Sequence, residues 1–226
     1  MISLYSGTPG SGKTVNVART VHDRFVLGKP VIAVHTNFDK SKFKKAKYKF
    51  LQDEEFTPEW LIAKSERYFK KHSFREGALL LIIDEAQLYF NAREWQKTDR
   101  NGWLDFFTKH RHYGYDIIFV AQFDRMIDRQ IRSLFEYEYI HRKVKNFGIG
   151  GFLMSLLAGG NLHCAVKMWY PIKEKIGSEM FKSKRKYWKL YNSYVVPRKP
   201  QEHTGEPVTD NARKKPILLR LFFSSK

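Results

Sequence analysis

A short segment close to the start of the sequence restricts the possible folds more than any other feature. Residues 7–14 read Gly-Thr-Pro-Gly-Ser-Gly-Lys-Thr, which fits the pattern G-x-x-x-x-G-K-[ST] of a phosphate-binding loop, or P-loop. The segment follows an apolar strand pattern at residues 2–5 and opens a helical pattern at residues 13–27, the context that this motif requires. Its glycines let backbone N–H groups surround a phosphate, and the helix amino terminus adds positive potential. The sequence therefore predicts a P-loop NTPase.

The P-loop also assigns roles to its own side chains. Lys13 is expected to reach the β- and γ-phosphates of ATP, and the Thr14 hydroxyl is expected to bind Mg²⁺. A chance match in a glycine-rich turn is the alternative, and the strand-loop-helix context argues against it. ATP and Mg²⁺ are thus the predicted cofactors. The predicted nucleotide-binding residues are Gly7, Thr8, Pro9, Gly10, Ser11, Gly12, Lys13 and Thr14.

A second element of an ATP-hydrolysing site follows a continuous apolar run. Residues 79–83 read Leu-Leu-Leu-Ile-Ile and are followed by Asp84 and Glu85, which is typical of a buried strand that delivers carboxylates to its carboxyl end. Asp84 is expected to hold the Mg²⁺ shell, and Glu85 to orient or deprotonate the attacking water. An apolar run ending in Asp-Glu has little meaning alone, but behind a P-loop it indicates catalysis.

Three further polar residues are candidates for catalysis. Gln122 ends a strand pattern at the sheet edge where ligands of α/β folds bind, so it is a candidate sensor of the γ-phosphate, with turn capping as the alternative. Arg129 and Arg132 lie three residues apart on a predicted helix and could reach a phosphate across a subunit boundary. Ordinary solvated helix charge is the alternative for both arginines.

The first two thirds of the chain alternate strand and helix patterns, which predicts an α/β fold with a mostly parallel central sheet flanked by helices and a small basic C-terminal extension. We expect a P-loop core at residues 1–145, an appended strand and loop region of the same domain at 146–194, and a flexible basic tail at 195–226. Strands are predicted at residues 2–5, 31–36, 78–84, 116–122 and 137–141. Helices are predicted at residues 13–27, from 57 onward, at 102–112 and at 125–134.

The charge balance indicates an anionic partner. The 226 residues carry 41 Lys and Arg against 23 Asp and Glu, a formal net charge of +18. Such a balance favours nucleic acid or anionic lipid. Residues 40–49 and 182–189 interleave cations with aromatic residues, a composition suited to phosphate contact and base stacking on single-stranded DNA. A solubilising face with a few buried aromatic residues explains these segments equally well.

Little in the sequence indicates export or a membrane span. Cys164 is the only cysteine, so no intrachain disulfide is possible, and the strand pattern at the first residues leaves no room for a cleaved signal peptide. Residues 146–166 lack charged side chains, but their strongly apolar part, 147–158, is shorter than the roughly 20 residues that span a bilayer. We expect a loop or packed hairpin there, with a membrane-dipping segment or a span as alternatives. No metal-ligand spacing predicts a structural metal.

Three stretches together resemble the zonula occludens toxin-like family, which includes the assembly ATPases of filamentous phages. They are residues 6–14, residues 81–93 with Ile-Asp-Glu, and His-Arg-His-Tyr-Gly-Tyr-Asp at 110–116, the most specific of the three. Residues 189–194 also look like the end of that family's ATPase domain, so the resemblance covers about 1–194. The long transmembrane helix typical of the family after this domain is absent, which weakens an expectation of integral membrane anchoring.

The resemblance implies a Mg-ATP-hydrolysing motor for filamentous phage assembly that extrudes or packages single-stranded DNA. It further implies a homo-oligomeric ring, phage coat or assembly proteins as partners, and a place in the host cytoplasm at the inner face of the membrane, with peripheral membrane contact. Alternatives are a packaging or translocating ATPase for double-stranded DNA of another phage type, a small-molecule kinase, and a non-hydrolysing scaffold. Glu85 favours water as the acceptor, and the net charge favours a polymer partner.

Overall fold

The computed structural model describes residues 1–91 and 100–191, which form one sheet with helices on both faces. The strand order in the sheet is β3-β2-β4-β5-β1-β6-β7-β8. Strands β1 to β6 run parallel, whereas β7 and β8 are antiparallel to their neighbours. The strands are β1 (Ile2–Ser6), β2 (Val31–Val34), β3 (Tyr48–Leu51), β4 (Leu79–Ile83), β5 (Tyr115–Val120), β6 (Tyr137–Lys143), β7 (Leu162–Trp169) and β8 (Glu174–Lys182).

The helices begin and end where local chemistry favours it. The helix α1 starts directly after Gly12, and α2 starts with a proline in its first turn while the Thr57 hydroxyl accepts a hydrogen bond from the Trp60 N–H at 3.2 Å. Such a cap satisfies one of the free N–H groups at a helix start. The described helices are α1 (Lys13–Val26), α2 (Pro58–Phe69), α3 (Arg100–Thr108), α4 (Arg129–Arg132), α5 (Gly148–Leu157) and α6 (Arg185–Trp188).

Two apolar clusters, one on each face, hold the helices on the sheet. Helices α2, α3 and α4 cover one face with residues such as Leu61, Phe107 and Ile131. The helices α1 and α6 cover the other face, where Phe25 and Tyr187 are buried. Because both faces are covered, β4 and β1 are buried along their whole length, and the apolar run of β4 shows no alternation. The predicted α/β fold with a mostly parallel sheet is confirmed.

Several elements differ from the predictions. The strand β3 was not predicted, because its first residues belong to the lysine-rich segment 40–49, which also fits a solubilising face. The helix predicted at 102–112 ends at Thr108, where the chain turns into β5. The helix predicted at 125–134 shortens to the single turn α4, after a 3₁₀ turn at Asp124–Met126.

The region 146–194 was expected to contain only strands and loops, and the structure corrects this expectation. The strands β7 and β8 do occur there and extend the core sheet beyond β6, but residues Gly148–Leu157 form the helix α5 rather than a loop or hairpin. Glycines lower helix propensity, and apolar residues all around a helix show no period, so neither signal revealed it. In the described ranges we find no helix with both the length and the apolar character to cross a membrane. The predicted tail, 195–226, lies outside the described residues.

Candidate nucleotide-binding site

The topology places the P-loop at the centre of the carboxyl edge of the sheet. The strand β1 lies between β5 and β6, so the loop that leaves it is flanked by the ends of both neighbours. In the loop, Gly7, Gly10 and Gly12 have φ angles of 135°, 72° and 105°, values that side chains with a Cβ rarely adopt. The backbone conformation of the loop thus explains why the motif has glycine at each of these three positions.

Lys13 lies over its own loop. Its Nζ donates hydrogen bonds to the carbonyl oxygens of Gly7 at 2.6 Å and Thr8 at 3.3 Å. Burial lowers the pKa of Lys13, and the carboxylates of Glu85 and Asp84 act in the opposite direction. These influences require the ammonium group and both carboxylates to lie near one another. The structure therefore brings the two predicted halves of the site together.

Asp84 lies at the end of β4, two strands away from β1. Its carboxylate accepts hydrogen bonds from the Thr36 hydroxyl and, at 3.0 Å, from the Glu85 N–H. Burial raises the pKa of Asp84, which means that its ionised form is poorly solvated. A half-buried carboxylate close to Lys13, the residue before Thr14, fits a site for a divalent cation. Sequence reasoning missed Thr36, whose position just after β2 was the available signal.

Glu85 occupies an unusual backbone conformation. Its φ and ψ are both 47°, in the left-handed region that costs a residue with a Cβ roughly 1–2 kcal/mol. The side chain accepts a hydrogen bond from the Gln87 amide, and the 3₁₀ turn Ala86–Leu88 follows directly. Such local strain in a non-glycine residue is found where the direction of a functional side chain is fixed.

Gln122 follows β5, and its carbonyl oxygen accepts a hydrogen bond from the Gly7 N–H at 3.1 Å. It lines a cavity of about 670 Å³ beside the P-loop, on the side of β6. Cavities of this size commonly hold a nucleotide or another small ligand. The walls also include Ser6 to Pro9 of the loop region, and cations from the end of β6 and the residues after it: Arg142, Lys143 and Lys145.

Arg129 and Arg132 lie away from the cavity beside the P-loop. Arg129 is exposed at the start of α4, where the Asp128 side chain caps the helix. Arg132 is half-buried, its charge acts on Tyr170, and its Nε is buried without a hydrogen-bond partner in the described part of the chain. Neither arginine lines the cavity beside the P-loop. Their predicted role in catalysis therefore stays a prediction, and it requires a second subunit.

Two histidines that sequence reasoning missed support the P-loop from β6 and β7. The His141 Nδ1–H donates to the Ser6 carbonyl oxygen at 3.2 Å, and its Nε2 faces the Asn16 amide nitrogen at 3.0 Å. His163 Nδ1 bonds the Ser11 carbonyl oxygen at 2.8 Å. A Cβ on Gly12 would lie 2.6 Å from His163 Nδ1, so glycine is needed there for close approach as well as for its φ angle. No local signal predicts contacts between residues so far apart in sequence.

Burial lowers the pKa of both histidines, to about 4 for His141. The neutral imidazole with its proton on Nδ1 satisfies both neighbours of His141, because it donates to the carbonyl and accepts from the Asn16 amide. The protonated ring would place an N–H against that amide. His141 is therefore a fixed support of the loop at neutral pH.

The sequence and fold identify the family of the chain. The model of the family described as zonular occludens toxin (Zot) matches residues 1–197. This chain belongs to the Zot family. Among curated relatives, the Gene 1 protein of Enterobacteria phage M13 is 27% identical over 172 residues, which are 71% of this chain and 48% of that protein. The chain thus spans about half the length of this relative.

Solved structures agree with the Zot-family fold. The N-terminal domain of zonular occludens toxin from Neisseria meningitidis is 19% identical and superposes with a TM-score of 0.51, covering 84% of this chain and 98% of that one. The genome packaging NTPase B204 from Sulfolobus turreted icosahedral virus 2, in complex with ATP-gammaS, is 14% identical with a TM-score of 0.51, covering 80% of this chain and 96% of that one. At these identities the likeness establishes the P-loop NTPase fold.

Proposed function

We propose that this Zot-family chain hydrolyses Mg-ATP to drive filamentous phage assembly. The observation that carries the proposal is the meeting of Lys13 with Asp84 and Glu85 beside a P-loop of the required backbone form. An M13 relative named Gene 1 protein and the fold shared with a genome packaging NTPase bound to ATP-gammaS support the same function.

The chemistry divides between holding phosphates and activating water. Backbone N–H groups of the P-loop and the Lys13 ammonium hold the β- and γ-phosphates, which stabilises charge that develops during transfer. Mg²⁺, held by Thr14 and Asp84, would supply further charge neutralisation at these phosphates. Glu85, fixed by its backbone conformation and by Gln87, orients or deprotonates the attacking water. Gln122, tied to Gly7, senses the γ-phosphate.

The proposed cargo is single-stranded DNA, and the surface around α1 supports this choice. The segments 40–49 and 182–189 lie side by side there, because the Asp39 N–H donates to the Leu190 carbonyl oxygen at 2.7 Å and the ring of His22 contacts those of Phe43 and Tyr187. We call this combined area the basic surface. Its exposed cations are Lys40, Lys42, Lys44, Lys45, Lys47, Lys182, Lys184, Arg185, Lys186 and Lys189.

Most aromatic residues of the basic surface point inward. The rings of Phe43 and Tyr48 pack against Phe25, and Tyr187 is buried. Only Trp188, 49% exposed, remains for stacking on a base among the aromatic residues of these two segments. The surface is therefore suited mainly to phosphate contact, which carries little sequence preference, and the predicted stacking on DNA bases stays a prediction.

The proposal includes an assembly at the membrane. A homo-oligomeric ring would let Arg129 or Arg132 reach the nucleotide of a neighbouring subunit, since neither lines the cavity of its own chain. Phage coat or assembly proteins are the proposed partners, and the inner face of the host membrane is the proposed location.

Release of phosphate from ATP, with and without single-stranded DNA, tests the function. Lys13→Ala should lower hydrolysis by about 100-fold or more, because the phosphates lose their cation. Glu85→Gln should lower hydrolysis by about 100-fold or more while ATP still binds, because only water activation is lost. Lys71→Ala and Glu66→Gln, both exposed on or next to α2, serve as controls that should hydrolyse ATP normally.

The same assay distinguishes the proposed function from the alternatives of a kinase, a scaffold and a packaging ATPase for double-stranded DNA. A kinase would release little phosphate without a small-molecule acceptor, and a scaffold would bind ATP without turnover. Stimulation by double-stranded DNA alone would favour a packaging ATPase of another type. Near-normal turnover in Glu85→Gln would remove Glu85 from the mechanism.

A further inference from the structure

The helix α5 differs from an ordinary surface helix, because it buries small residues and exposes large apolar ones. Its two buried residues are small, Gly151 and Ser155, and they lie four residues apart on one side of the helix. The other side presents large apolar groups to the outside, with Ile149 89% and Leu157 83% exposed. The exposed apolar residues of α5 and the residue before it are Phe147, Ile149, Phe152, Leu153, Met154, Leu156 and Leu157.

The small residues explain why the apolar side faces outward. Gly151 packs so closely on the 3₁₀ turn Val144–Asn146 that a Cβ there would lie 2.3 Å from the Val144 carbonyl oxygen. The Ser155 hydroxyl donates to the Gly160 carbonyl oxygen at 3.3 Å and so joins the helix to the turn that follows. The chain therefore fixes α5 by its small side and holds the apolar side away from both core clusters.

Exposed cations lie at both ends of this apolar helix, and the carboxylates of the cavity at its start, Asp124 and Glu138, both pair with Lys173. Residues 139–173 contain no Asp or Glu, and exposed Arg142 and Lys145 precede the helix. Exposed Lys182 and Lys184 lie beside its far end, since β8 pairs Lys182 with Leu162 and the Ser183 N–H donates to the Asn161 carbonyl oxygen at 2.9 Å. An apolar patch of this size with a cationic rim fits a surface that is apolar inside and anionic outside.

We infer that α5 is a membrane-docking helix that inserts its apolar side into the interface of a bilayer rich in anionic lipid. Ten residues of helix are only about 15 Å long, half of a hydrocarbon core of about 30 Å, so α5 lies in the interface and does not cross it. A second copy of this chain fits less well, because a contact between two α5 faces would bring the same cations together.

The docking helix would give the motor a fixed orientation at the membrane. Phe147 and Asn146, at the start of α5, also line the cavity beside the P-loop. This cavity, beside the P-loop, would therefore lie next to the bilayer surface. The inference deepens the proposed membrane location and does not depend on ATP hydrolysis.

Vesicle sedimentation of the full chain without nucleotide tests the inference. The chain should bind vesicles containing phosphatidylglycerol, bind phosphatidylcholine vesicles at least about tenfold more weakly, and bind less as salt rises. Ile149→Ser/Leu157→Ser should lower binding to the anionic vesicles at least about tenfold. Val26→Ser/Leu27→Ser, which removes two exposed apolar side chains at the end of α1, is the matched control and should bind as the unmodified chain does.

A fluorescent label locates the contact. A polarity-sensitive label on Ile149→Cys should shift to shorter wavelength with anionic vesicles, whereas one on Phe74→Cys, exposed at the opposite edge of the sheet, should not; Cys164 is buried and labels poorly. Unchanged vesicle binding by the serine variant would place the contact elsewhere and overturn the inference. The absence of any vesicle binding would also overturn it. A serine variant whose only defect is weaker self-association in analytical ultracentrifugation would do the same, because α5 would then be an interface between copies of the chain. ATPase activity that persists in any of these cases leaves the proposed function intact.

Discussion

At the scale of single residues, the P-loop depends on contacts from outside its motif. The motif supplies glycines, Lys13 and Thr14, but His141 on β6 and His163 on β7 hold the carbonyl oxygens of Ser6, just before the loop, and of Ser11 within it. Both rings are buried, which favours their neutral form, and His141 must be neutral for its Nε2 to accept from the Asn16 amide. The geometry of the phosphate site therefore includes two titratable groups that do not touch the phosphates.

This dependence predicts a loss of stability in acid. The unfolded chain protonates His141 near pH 6.5, whereas burial, with Lys13 and His163 nearby, keeps the folded pKa at about 4. Between these values the unfolded state binds more protons, so the contribution of His141 is complete above pH 6.5 and falls as pH drops toward 4, by up to about 3 kcal/mol.

Urea unfolding from pH 7.5 to 4.5 measures the effect. His141→Gln removes the titrating group, so the free energy of unfolding should fall less steeply with acid than in the unmodified chain. His163 and His110, whose pKa values are also lowered by burial, remain in both proteins and cancel in the comparison. Parallel curves for the two proteins would contradict the assignment of His141.

At the scale of elements, α5 is held by steric fit rather than by an apolar stripe. Gly151 contacts the preceding turn closely, while Gly150, its neighbour on the same helix, has open space around its Cα. The two glycines therefore have different effects. Gly151 permits close approach to the preceding turn, whereas Gly150 makes no such contact and only lowers the helix propensity.

Substitution of each glycine by alanine should have opposite effects. Gly151→Ala should destabilise the packing of α5 by about 1–3 kcal/mol, because the new methyl group overlaps the Val144 carbonyl oxygen. Gly150→Ala should stabilise the helix by about 0.5–1 kcal/mol. Amide hydrogen exchange over residues 148–157 measures both changes, and faster exchange in Gly150→Ala or equal effects of the two changes would contradict this account.

Elements that bury their apolar residues were the ones that the sequence predicted. The runs that form β1 and β4 and the P-loop between strand and helix follow from local patterns, and Asp84 and Glu85 follow from their place after a buried strand. The helix α5 was not predicted, because it exposes its apolar residues, whereas an argument from periodicity assumes that such residues are buried. His141, His163 and Thr36 act through contacts between distant segments, which no local pattern contains.

At the scale of the whole molecule, two surfaces meet at the end of β8. The basic surface covers the α1 face, the nucleotide site and α5 lie along the carboxyl edge of the sheet, and Lys182 and Lys184 belong to both. Since the two segments of the basic surface meet around His22, we expect them to act as one contact.

Binding of single-stranded DNA tests this joint surface. Replacement of Lys42, Lys44, Lys45 and Lys47 by alanine should flatten the plot of log affinity against log salt by about 0.7 for each phosphate that the variant no longer neutralises. Replacement of Lys182, Lys184, Arg185 and Lys186 should flatten it similarly. Lys109→Ala, exposed just after α3 on the other face, is the control and should leave the slope unchanged. A slope that none of these changes alters would place the DNA elsewhere.

Assembly gives a second test at this scale. If Arg129 or Arg132 completes the site of a neighbouring subunit, ATP hydrolysis per subunit should rise with protein concentration. Lys13→Ala subunits keep both arginines, and Arg129→Ala/Arg132→Ala subunits keep the P-loop, so a mixture should recover activity that neither has alone. Flat specific activity together with no recovery would mean that each chain has a complete site.

The sheet order also has a consequence for synthesis on the ribosome. The strand β1 pairs with β5 and β6, so it is translated long before either partner. Ser11 precedes its support His163 by 152 residues, which at about 5–20 residues per second is a delay of roughly 8–30 s. Until β5 and β6 are made, the nascent P-loop lacks both of its neighbouring strands, and until β7 is made it lacks His163. The nucleotide site is therefore completed only when β7 has left the exit tunnel.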